Sequence, residues 1–61
     1  MTTSDLRQFF AERPQLSPYG FAKEVKTISP RLLDYILKGK RTLTLRTQKK
    51  IIHTMMKYGY K

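Results

Sequence analysis

Residues 17–40 read SPYGFAKEVKTISPRLLDYILKGK, and the same device opens each half of that stretch. Ser17-Pro18 and Ser29-Pro30 each set a serine directly ahead of a proline. A serine hydroxyl at the N-cap accepts from an orphan amide of the first helical turn. A proline at the next position loses nothing, because an N–H there would have no partner inside the helix. Leu16 and Phe21 flank the first cap at the spacing of a hydrophobic staple, and Ile28 and Leu33 repeat it around the second. Gly39 suits the left-handed position that ends a helix. The stretch therefore predicts two short helices, 18–25 and 30–38, joined by a turn at Lys26-Thr27-Ile28.

Ahead of this stretch, Ser4 is the expected cap of a first helix over about 5–13, with Asp5 near its positive end. Leu6, Phe9 and Phe10 follow at i, i+3 and i+4 and read as a core stripe rather than a base-stacking platform. Pro14 stops that helix. On the other side Thr44 caps a last helix over about 45–58, which Gly59 ends. Its expected inner face is Gln48, Ile51, Ile52, Met55 and Met56, with Arg46, Lys49, Lys50 and Lys57 outside. Phe21, Ala22 and Val25 face inward from the second helix, where Gly20 either weakens the helix or admits another backbone. Leu33, Ile36 and Leu37 face inward from the third. The expected fold is all-α: one four-helix domain over residues 1–61 with a central helix-turn-helix.

Sixty-one residues without a cysteine lie near the lower limit for a chain that folds alone, so helix must pack on helix with no disulfide to staple it. No apolar run approaches a membrane span, and the N-terminus lacks the order of a signal peptide. A soluble, cytoplasmic protein is expected. The net charge is +9, and all of it lies in residues 23–61, where eleven basic residues stand against Glu24 and Asp34. In residues 1–22, Arg7 and Arg13 are offset by Asp5 and Glu12. Such asymmetry points to a polyanion. A lipid surface would call for one long helix with a basic and an apolar side. Here the charges span a turn, a short helix, a loop and a further helix, which favours nucleic acid. Catalysis has no support: His53 stands alone in a basic and apolar helix, and no cysteine or Gly-rich loop is present. Neither enzyme activity, metal nor cofactor is expected.

The segment FAKEV–ISPRLLDYILKGKRTLTLRTQKKIIHTMMKYGYK resembles the DNA-binding headpiece of LacI-type repressors. It is also similar to the repressor and Cro domains of lambdoid phages, in the same helix-turn-helix superfamily. Ala22, Ser29, the Leu-Lys-Gly-Lys exit at 37–40, the Thr47–Ile51 run and Gly59-Tyr60 carry the resemblance, which covers roughly residues 17–61. A helix ahead of the motif suits the phage arrangement better. The turn departs from the family, since Lys26-Thr27-Ile28 replaces a glycine and one aliphatic residue. Two registers of the third helix follow. A gapped alignment buries Leu33, whereas an ungapped one buries Leu32 and Tyr35 and exposes Leu33. The gapped register is preferred because it keeps Ser29 and Pro30 as cap and first helical residue.

The resemblance implies base contacts at Pro30, Arg31 and Tyr35. Arg31 can pair with both acceptors of guanine in the major groove, and Tyr35 can offer its hydroxyl or its ring. Asp34 and Lys38, on the same outer face, are further expected base contacts, and Asp34 either accepts from cytosine or pairs with Arg31 or Lys38. Ser17, Tyr19, Lys26, Ser29, Lys40 and Arg41 are the expected phosphate contacts, which orient without reading sequence. The implied function is a sequence-specific regulator of transcription that binds double-stranded DNA: a small phage or mobile-element repressor in a bacterial or phage-infected cell, with no small-molecule effector. A homodimer, weak or formed on DNA, would use the fourth helix or the C-terminal tyrosines. The alternatives are a protein-interaction module, such as an antirepressor or polymerase-binding phage protein, and a non-specific nucleic-acid-binding protein.

Overall fold

Four helices follow one another in the computed structural model, which describes residues 1–60: α1 (Thr3–Ala11), α2 (Pro18–Val25), α3 (Pro30–Leu37) and α4 (Leu45–Lys57). Among the described residues there is no strand, and no helix is long and apolar enough to cross a membrane. The radius of gyration is 10.2 Å, close to the roughly 10 Å of a globular chain this short.

Thr2, not Ser4, caps α1. Its hydroxyl accepts from the Asp5 amide at 3.1 Å while the Asp5 carboxylate accepts from the Thr2 amide at 2.8 Å. A cap at Ser4 would set Arg7, a donor, where the reciprocal bond needs an acceptor. The Thr2 amide holds the Asp5 carboxyl below its ordinary value of 3.8. The helix also ends earlier than Pro14 alone implies. Its last turn closes on Glu12, and Arg13 to Leu16 form a separate turn, with the Leu16 amide 2.9 Å from the Arg13 carbonyl. Proline disfavours a helical residue before it and suits the second position of such a turn.

Both Ser-Pro caps form as expected. Ser17 Oγ accepts from the Gly20 amide and Ser29 Oγ from the Leu32 amide, each at 3.0 Å. A Cβ on Gly20 would lie 3.1 Å from Ser17 Oγ, so the close neighbour of this glycine is the cap hydroxyl and not another backbone. Lys26 ends α2 at φ 70, a left-handed position normally given to glycine. Glycines do this after α3 and α4. With Gly39 at φ 79, its amide donates to Ile36 O and that of Lys40 to Tyr35 O; Gly59 at φ 90 repeats the pattern after α4.

Leu6, Phe9, Phe21, Ala22, Ile28, Leu33, Ile36, Ile51 and Met55 form the core. α2 lies at its centre, packed on α3 and α4, while α1 covers α3. The Phe9 ring meets those of Phe10, Phe21 and Tyr60 edge-on at 5.1, 5.8 and 6.0 Å between centroids, an arrangement that matches positive ring edge to negative face. Leu37 and Val25 are only half-buried, at the margin of this core. The Tyr58 hydroxyl donates to the Glu24 carboxylate, tying α4 to α2, and the carboxylate raises the phenol above its ordinary 10.0.

α4 is turned from its expected rotation. Its buried residues are Thr47, Ile51, Thr54 and Met55, whereas Gln48 and Ile52 are half-buried and Met56 is 59% exposed. The helix carries two apolar stripes, and the one chosen by the core includes threonines. Thr44 donates to the Thr47 hydroxyl at 3.1 Å, so burying Thr47 leaves no orphan oxygen.

Candidate nucleic-acid interface

The two Ser-Pro caps lie side by side in space. Ser17, Pro18 and Tyr19 at the start of α2 face Ser29, Pro30, Arg31, Asp34 and Tyr35 of α3 across an open groove of about 820 Å³. Seven of the eleven expected contact residues line it, and Pro18 joins them. The physical cause is the staple pair. Phe21 and Leu33 are fully buried and Ile28 nearly so, which draws both helix starts against the core and leaves their caps outward. The N-terminal ends of two helices therefore border one groove, each adding a partial positive charge.

The chemistry of the two serines follows from their capping bonds. Each uses one oxygen lone pair on its own helix and keeps its O–H proton, so each can donate outward. Arg31 is exposed and has no ion-pair partner among the described residues. Asp34 pairs with Lys38, at 2.9 Å, rather than with Arg31. The pair sets the Lys38 ammonium beside a residue that lines the groove and leaves Arg31 without a carboxylate partner among the described residues. Tyr19 and Tyr35 stand at 62% and 38% exposure, and the Lys23 ammonium lies 5.2 Å from the Tyr19 ring centroid.

The rotation of α3 is decided by burial. Leu33 and Ile36 are fully buried, Leu32 is half-buried and Tyr35 is exposed. That is the rotation expected with Leu33 inward, and the left-handed Lys26 turns the chain between the two helices. Arg31, Asp34, Tyr35 and Lys38 consequently share the outer face of α3.

Four expected contacts lie outside the groove. Lys38 reaches it only through Asp34, and Lys26 sits at the opposite end of α2. Lys40 and Arg41 line two other clefts, one with Leu32, Thr44 and Thr47, the other with Thr2, Thr3 and Arg7. Arg7 is the residue that the charge count concealed. Its apparent partner Asp5 is engaged by Thr2, while Arg7 Nε donates to the Leu37 carbonyl at 2.7 Å and pins the exit of α3. A third cation thus joins Lys40 and Arg41. The clue was available in the sequence: an Asp three residues after a threonine is better used as a cap partner than as a counter-ion.

Comparison with protein-family models, curated protein sequences and solved structures returns no match to this chain. The functional reading therefore stands on the geometry and charge of these surfaces.

Proposed function

We propose that this protein is a sequence-specific DNA-binding regulator of transcription, a small repressor that occupies an operator through α3 and obstructs polymerase. The observation that carries the reading is the groove between the starts of α2 and α3. It gathers two hydroxyl donors, two helix N-termini, two exposed tyrosines and a guanidinium with no ion-pair partner among the described residues. Hydroxyls and helix N-termini are suited to phosphate oxygens. The Arg31 fork is suited to guanine N7 and O6, and the major groove, about 12 Å wide, admits a helix such as α3. Lys40, Arg41 and Arg7 extend the cationic surface beyond the exit of that helix. Their contribution would be uniform across sequences and strongly salt-dependent.

Selection of bound duplexes from a random DNA pool at physiological salt tests this. The expected result is an enriched motif. An inverted repeat with half-sites about one helical turn apart would mean two copies on one operator, and a single site would mean one. Retention of DNA without enrichment would leave only electrostatic binding and refute sequence reading. No retention at all would refute the proposal and favour a protein partner for this groove.

A further inference from the structure

α4 carries a second apolar stripe that the fold does not use. At about 100° per residue, Leu45, Lys49, Ile52 and Met56 fall within one wedge of roughly 60°, opposite the Thr47 and Thr54 side of the helix. Leu45 is 73% and Met56 59% exposed, with Ile52 half-buried between them. A shallow cleft of about 290 Å³ lies beside the stripe, lined by Met1, Leu45, Gln48, Lys49, Ile52 and Tyr60. It shares no residue with the groove between α2 and α3. His53 and then Arg46 follow the stripe on one side, Lys50 lies further round toward the core, and Lys49 stands within the stripe. α4 contains no carboxylate, and among the described residues these three cations have no ion-pair partner.

We propose that this face of α4 docks an acidic amphipathic segment of another protein, with apolar side chains on Leu45, Ile52 and Met56 and carboxylates on Lys49 and Arg46. Charge selects the occupant. In a two-fold pairing with parallel helices Lys49 would meet Lys49. In an antiparallel one the Arg46 and Lys50 flanks of both copies would fall on the same side. No acid on α4 offsets either arrangement. A stable interface needs about 800 Å² from each partner, roughly a fifth of the 4420 Å² surface of this chain, and would have to include those cations. A lipid surface fits less well, because Lys49 interrupts the stripe and the far side of the helix is held in the core. Nucleic acid offers the cations phosphate but gives the apolar residues nothing. An acidic helix with apolar residues at i, i+3 or i+4, and i+7 matches both features.

The test is a display selection from random peptides about four helical turns long, run on the intact protein and on Leu45→Asp. That substitution lies at the exposed first position of α4, where a carboxylate favours the helix, and circular dichroism verifies its fold. The expected result is enrichment of peptides with several Asp or Glu and apolar residues at helical spacing. Leu45→Asp should weaken their binding about tenfold, whereas Arg31→Ala should retain it. Enriched peptides without acids, equal binding by Leu45→Asp, or no enrichment would overturn the proposal. Self-association of the free protein that Leu45→Asp abolishes would assign the face to a second copy instead. Binding to vesicles of anionic phospholipid that the same substitution abolishes would assign it to a membrane. Either outcome would overturn it as well.

Discussion

Arg13 holds the exits of two helices together, and its removal should melt the domain well below its native transition. Its Nε donates to the Tyr58 carbonyl at the end of α4 at 2.7 Å, and its Nη1 donates to the Phe9 carbonyl of α1 at 3.0 Å. The guanidinium also lies 4.2 Å from the centroid of the Phe9 ring, and the side chain is 22% exposed. A hydrogen bond from a charged donor contributes about 1.5–3 kcal/mol, and a cation over a ring about 0.5–1 kcal/mol when exposed. Water can replace part of this at helix ends, so Arg13→Met, which keeps the apolar stem, should cost about 2–3 kcal/mol. Domains of this length hold only about 3–9 kcal/mol in all. At about 4–8 °C per kcal/mol, the melting temperature should fall by roughly 10–20 °C. Thermal and urea denaturation followed by circular dichroism would measure it. Arg13→Lys should fall between the two proteins, since one ammonium cannot span both carbonyls. A melting temperature for Arg13→Met within about 3 °C of the native protein would refute this account.

At the proposed interface, Arg31→Ala should cost about 1–3 kcal/mol on the selected site and relax one base preference, whereas Lys40→Ala should weaken all sequences alike and reduce the salt slope by about one. Identical behaviour in a titration across salt concentrations would sink the assigned roles. Lys26→Gly relieves a left-handed backbone at φ 70 and should stabilise the domain by about 0.5–1 kcal/mol net of the extra freedom of the unfolded chain. Because Lys26 lies at the end of α2 opposite the groove, DNA binding should be little changed, and a marked loss of affinity would return Lys26 to the phosphate contacts. Asp5 is depressed below 3.8 by the Thr2 amide, so its contribution is present above that pH and is lost as pH falls through the lower folded value. Asp5→Asn should therefore flatten the acid limb of a stability–pH profile, and an unaltered limb would show that the capping carboxylate is not responsible.

The α2–turn–α3 unit was legible because its signals are local. A serine caps within its own turn, a proline fits one position, and staple residues meet five residues apart; the two Ser-Pro starts accordingly form as read. The same locality allowed the cap of α1 to be misplaced. Thr2 and Ser4 both precede the apolar stripe, and only the reciprocal bond with Asp5 separates them. The candidate site was legible in its membership. Ser17, Tyr19, Ser29, Pro30, Arg31, Asp34 and Tyr35 do share one groove, but Lys40 and Arg41 do not line it, because a loop residue takes its place from what the loop crosses.

By itself the sequence determined four helices, their exits at Gly39 and Gly59, the apolar set Leu6, Phe9, Phe21, Leu33 and Ile36, and the concentration of charge after residue 22. Tertiary structure alone decided which stripe of α4 turns inward, that Asp34 takes Lys38, and that Arg7 and Arg13 bind helix exits 30 and 45 residues away. The physical reason is the same in each case. Periodicity and charge define what a side chain can do, and several partners satisfy that equally well along the chain. Only packing around a shared core sets which partner lies within reach.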